Sequence, residues 1–133
     1  MLILNTMKKA KNLGIWMDHS SAHLMEYASE PVETKTIEST FTYRVKQDSL
    51  NKSENLMHNK EQHQRIEYYK KLGEVIKEYE GVILFGPTDA KVELFNMLKA
   101  NHLFEKIKIE VKQADKMTEN QERAFVKDHF HSS

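Results

Sequence analysis

The chain has 133 residues, with 20 Lys and Arg balancing 20 Asp and Glu, and no cysteine. That length fits one hydrophobic core, and a net charge of zero gives the whole molecule no general pull on nucleic acid. The missing thiols exclude disulfides, a cysteine nucleophile and thiolate metal sites. No apolar run reaches the roughly 20 residues that cross a bilayer, so no membrane partner is expected. The start, "MLILNTMKKAKN", places apolar residues before Lys8, Lys9 and Lys11, the reverse of a secretion signal, and a cytoplasmic protein is expected.

In chain order, Leu13–Met17 is apolar and β-favouring, Asp18–Ser21 reads as a turn, and Ala22–Tyr27 resumes an extended pattern, which predicts a hairpin. After "ASEP", the segment 32–45 alternates as a Thr-rich third strand. Residues 46–59 lack apolar periodicity and read as a long mobile loop within the single domain 1–133. Asn59 is placed to cap a helix whose stripe is Ile66, Tyr69, Leu72, Val75, Ile76 and Tyr79, ending near Glu80 and Gly81. Tyr68 and Tyr69 read as core on this stripe rather than as stacking platforms.

"GVILF" is an interior strand by its continuous apolar run, stopped by Gly86 and Pro87. Thr88 or Asp89 then caps a second helix with Ala90, Leu94, Phe95 and Leu98 inward. "KIKIEV" follows as a strand, and Thr118 with Gln121 has capping-box spacing ahead of a last helix. Three meandering strands followed by helix, strand, helix, strand, helix predict an α/β domain. Its mixed five-stranded sheet and three helices would have a ribonuclease H-like layout, with right-handed crossovers for the parallel part.

The segments "GIWMDHSSAHLMEY", "GVILFGPTDAKVELFNML" and "VKQADKMTENQERAFVKDHF" resemble the bacterial translational machinery proteins related to the central domain of the eukaryotic and archaeal peptide release factor and of Pelota. The resemblance implies a ribosome-facing role. In the release factor that role rests on a Gly-Gly-Gln loop ahead of the first long helix. Here the corresponding stretch, "KQDSLNKSENLMHNKEQHQ", has no glycine, so both the backbone freedom of paired glycines and the positioned glutamine are missing. The expectation is a non-enzymatic module that binds ribosome or RNA without releasing peptide. The flanking domains that read a stop codon or dock a partner GTPase are not expected in so short a chain.

Between Arg44 and Lys71 there are seven basic residues against four acidic ones. Lys46, Lys52, Lys60 and Arg65 are therefore the candidate contacts to RNA phosphates. Gly86, Pro87 and Lys91 form a second candidate, because helix N-terminal amides and an ammonium group can face an anion, although the phosphate-loop pattern is missing. Asp18 and His19 read as a hairpin turn facing a partner, without a Ser-His-Asp arrangement to make them a catalytic site.

Two alternatives come from other classes. In a divalent-metal nuclease of ribonuclease H-like fold, Asp18 would meet Glu67 or Glu74 and Asp89. In a structural protein, the chain would form a homodimer through the third strand or the Phe125 and Phe130 end. No cofactor and no metal site are expected: the pairs His58/His63 and His129/His131 fall short of a closed zinc set and read as solvated.

Overall fold

The computed structural model describes residues 11–27, 34–39 and 54–131, with side chains in the first long helix described from Gln62 onward. Strands β1 (Asn12–Met17), β2 (Ser21–Tyr27), β3 (Lys35–Glu38), β4 (Gly81–Gly86) and β5 (Lys108–Gln113) form one sheet in the order β3-β2-β1-β4-β5. Helices α1 (Glu54–Ile76), α2 (Ala90–Lys99) and α3 (Glu119–His131) complete the described elements, with a short 3₁₀ turn at His102–Phe104. The pairs β1–β2 and β2–β3 are antiparallel, while β1–β4 and β4–β5 are parallel. This is the mixed α/β sheet with three helices that the order of predicted elements requires.

Strand alternation divides the core in two. Leu13, Ile15 and Met17 of β1 and Val82 and Leu84 of β4 face one side, where they pack with Tyr68, Tyr69, Leu72 and Ile76 of α1 and with Ala90, Leu94 and Leu98 of α2. Trp16, Ile83 and Phe85 face the other side and pack with Val126 of α3, and Phe125 lies 4.3 Å from Phe85, ring centre to ring centre. Gly14 lets α3 approach the sheet, since a Cβ at that position would collide with the Val126 side chain.

The hairpin forms in the predicted register, with Met17 opposite Ala22. The capping box also forms: Gln121 N donates to Thr118 Oγ1 over 3.2 Å, and Thr118 N donates to Gln121 Oε1 over 2.8 Å. Tyr68 and Tyr69 are core residues.

Four expectations are corrected. Helix α1 begins at Glu54, inside the stretch expected to be loop, and ends at Ile76 rather than near Glu80. Glu54, Leu56 and Met57 are good helix formers and no Gly or Pro precedes Gly73 in the helix, so propensity extends it beyond its apolar stripe. Ile66 is 40% exposed, because Tyr68, Tyr69, Leu72 and Ile76 set the buried face one step round from the predicted stripe. Strand β5 lies two residues later than "KIKIEV", since Phe104 and the 3₁₀ turn occupy the approach and Ile107 N bonds back to the Phe104 carbonyl. His129 is buried and bonded to Glu110 over 3.1 Å, not solvated. Of the third strand, Lys35–Glu38 is observed; Thr34 and Ser39 lie outside it, and 32–33 and 40–45 lie outside the described residues.

Candidate functional site

The chain runs outward from β1 to β3 on one side, then returns to place β4 on the other side of β1. The carboxyl ends of β1 and β4 therefore flank the point where strand order reverses, the usual position of a binding crevice in sheets of this kind. The two ends lie close together because Gly86 has φ of 153°, a conformation side chains disfavour, and a Cβ there would strike the Met17 carbonyl.

Asp18 follows β1 and builds the hairpin turn. Its Oδ1 accepts from Ser20 N at 2.8 Å and from Ser21 N at 2.9 Å, and its own N–H donates to the Ser21 carbonyl at 3.0 Å. Tyr68 of α1 donates its hydroxyl to the Asp18 carbonyl over 2.9 Å, which pins the helix to the turn. Burial, followed by the Asp18 charge, pushes the Tyr68 phenol well up from its ordinary value, so it remains a donor at all working pH.

Beside this turn, Glu93 of α2 gathers three elements. Its Oε1 accepts from Tyr69 OH at 2.6 Å and stands 3.9 Å from Arg65 Nη1, while its Oε2 is 3.4 Å from His19 Nε2. Partial burial works against its ionisation, but the Tyr69 bond and then His19 and Arg65 outweigh that effect and hold the carboxyl below its ordinary range. Burial and the Glu93 bond raise the Tyr69 phenol strongly. His19 and Arg65 are thus brought to one rim through Glu93, with Asp18 beside His19 in the turn.

Gly86, Pro87 and Lys91 lie along the same edge, but Lys91 points inward. It is 3% exposed, and its Nζ donates to the Thr88 carbonyl at 2.5 Å and to Gln113 Oε1 at 2.9 Å, tying α2 to the β4 turn and to β5. Gln113 Nε2 in turn donates to the Pro87 carbonyl at 3.4 Å. Thr88 Oγ1 accepts from Ala90 N at 3.2 Å, whereas Asp89, at the N-cap position, makes no side-chain cap bond. With Lys91 engaged inside, the described rim offers Asp18, exposed Asp89 and a neutralised Glu93 rather than a cationic cradle. Lys46 and Lys52 lie outside the described residues, and Lys60 is on α1 with its side chain outside them.

Among the described residues no three His, Asp or Glu side chains converge as metal ligands. Asp18 Oδ1 accepts from two turn amides, and Glu67 and Glu74 are exposed on α1. Reading the sequence missed Glu93, Tyr69 and Gln113 as partners, because they lie 74, 24 and 22 residues from the groups they bind. A Glu and a Tyr on the inward flanks of two helices were the available signal, and only the topology pairs them. No helix among the described residues is long and apolar enough to cross a membrane.

No protein-family profile matches the chain, and no curated protein matches it either. Solved structures do share its fold. Archaeoglobus fulgidus Pelota aligns with a TM-score of 0.60 at 10% identity, over 95% of this chain and 33% of its own. Thermoplasma acidophilum Pelota aligns with a TM-score of 0.58 at 13% identity, over 99% and 36%. The archaeal translation termination factor aRF1 aligns with a TM-score of 0.51 at 16% identity, over 92% and 39%. The chain thus spans 33–39% of each of these proteins, and what it shares with them is the fold of one part.

Proposed function

We propose that this chain is a non-enzymatic binding module of the translation machinery that contacts ribosomal RNA and has no peptide-release activity. The observation that carries this reading is the fold: 92–99% of the chain is accounted for by one part of Pelota or of a translation termination factor. A shared fold is an argument by analogy, and the residues add two supports. Ahead of and along α1, Lys46, Lys52 and Lys60, with Arg65, which also faces Glu93, supply the positive charge that phosphate contact needs, and the glycine-free stretch 46–64 offers no paired glycines for release chemistry. In this reading the Asp18 and His19 turn, with Gly86, Pro87 and the inward Lys91, shapes the edge that faces the partner.

The test is binding of purified ribosomal RNA across a salt series. If four phosphates are neutralised, the logarithm of affinity falls with the logarithm of salt with a slope of about −3 for single strands. Changing Lys46, Lys52, Lys60 and Arg65 to Glu should abolish binding. Equal affinity in the reversed variant would refute RNA contact through this arm.

A further inference from the structure

We infer that the open edge of β5 and the groove beside it form a docking site for an extended partner segment of alternating apolar and acidic residues, added to the sheet as a sixth strand. Strand β5 ends the sheet, and among the described residues nothing pairs with its outer side. Lys108 N donates to the Glu80 carbonyl and Ala114 N to the Gly86 carbonyl, so the even-numbered positions face β4. Strand geometry then turns the N–H and C=O groups of Ile109, Val111 and Gln113 outward, a row about 13 Å long that no described strand pairs.

The two faces beside this edge differ. On the α2 side lies a mainly apolar groove of about 400 Å³ lined by Phe95, Leu98, Phe104 and Ile109, with the charged residues Lys99, Glu105 and Lys108 also on its wall and Lys99 5.3 Å from the centre of the Phe95 ring. Leu103, in the same 3₁₀ turn as Phe104, is 64% exposed. On the opposite side β5 presents exposed Lys108 and Lys112, while Glu110 between them is taken up by His129. Adding a strand to a free edge supplies main-chain hydrogen bonds, and alternate side chains then meet the two faces in turn. An incoming strand would place every second side chain toward the apolar groove and the others opposite Lys108 and Lys112. Charge complementarity on that second face selects acidic residues there and disfavours a like-charged strand. Lysines on an edge also guard against indiscriminate pairing. Together these features make the edge selective rather than merely open. This inference does not depend on RNA contact.

The probe is a capped ten-residue peptide of alternating Val and Glu, added to the ¹⁵N-labelled full chain, with a Val/Lys peptide and a poly-uridine oligonucleotide as comparators. Amide hydrogen exchange at Ile109, Val111 and Gln113 should slow at least tenfold with the Val/Glu peptide alone, while Lys108, Glu110 and Lys112 keep their protection. The double variant Lys108→Glu, Lys112→Glu, checked for an unchanged melting temperature, should exchange that preference for the Val/Lys peptide. Three results would overturn the inference. Exchange at the three outward amides could be unaffected at millimolar peptide, the oligonucleotide could bind this face while those amides stay open, or the amides could be protected beforehand in a dimer of the chain itself.

Discussion

On the α1/α2 face, aliphatic residues of β1 and β4 meet Tyr68, Leu72, Ile76, Leu94 and Leu98 in a continuous apolar layer, and the ionisable groups stay at the rim. On the α3 face the layer is thinner and holds ion-pairing groups. His23 Nδ1 lies 2.8 Å from the Glu122 carboxyl, whose side chain is 2% exposed, His23 stacks 5.2 Å from Trp16, and His129 bonds Glu110. Trp16 Nε1 is buried there with no hydrogen-bond partner among the described residues. Both faces close the same sheet. One keeps its ionisable groups, Glu93 among them, at the rim, while the other holds the Glu122 carboxyl within its layer.

Adjacent residues of β4 offer the sharpest test, because Leu84 points to the first face and Ile83 to the second, both fully buried. Each change to Ala should cost about 2–5 kcal/mol in denaturant unfolding. Leu84→Ala should lie nearer the top of that range, since the thinner α3 layer can settle into a cavity more readily. Equal costs would remove the difference in packing between the faces.

Gly14→Ala comes next. The new methyl collides with Val126 and should cost about 1–3 kcal/mol. A second change, Val126→Ala, should recover part of that loss, whereas simple additivity would place the strain elsewhere. Removing the cap with Thr118→Ala should loosen α3 by about 1 kcal/mol. Emission from Trp16, the chain's single tryptophan, reads that face locally.

The pH dependence should separate the faces by sign. Burial pushes the Glu122 carboxyl up against the opposing pull of His23, so its contribution is fully present below the unfolded value of about 4.3 and is lost as pH rises through the raised value. Glu93 is held down, so its contribution is present above about 4.3 and is lost as pH falls through the lowered value. Glu122→Gln should therefore flatten the stability profile on the alkaline side of that point, and Glu93→Gln on the acid side. The Glu93 effect is the smaller, a few tenths of about 1 kcal/mol, because water screens its partly exposed pairs. Slopes of the same sign would contradict the assignment.

The sheet was legible because its strands differ in pattern: "GVILF" is apolar throughout and interior, whereas β1 and β2 flank a turn whose Asp18 makes the bonds expected of it. The capping box of α3 was legible for the same local reason. The start of α1 was not, since residues 54–59 have helical propensity without an apolar stripe. Lys91 looked like an anion ligand because a lysine two residues past a potential cap usually reaches solvent. Its burial follows from the nearby Thr88 carbonyl and from Gln113, which only the β4–β5 crossover brings near. The Glu93 hub was hidden likewise, its partners lying on a different helix and on a hairpin.

The central claim is tested most directly by sedimenting the intact protein with purified ribosomes through a sucrose cushion at low and moderate salt, beside the variant carrying Glu at positions 46, 52, 60 and 65. The account predicts salt-sensitive pelleting of the wild type that the variant loses. A wild-type protein that stays in the supernatant at both salts would contradict it.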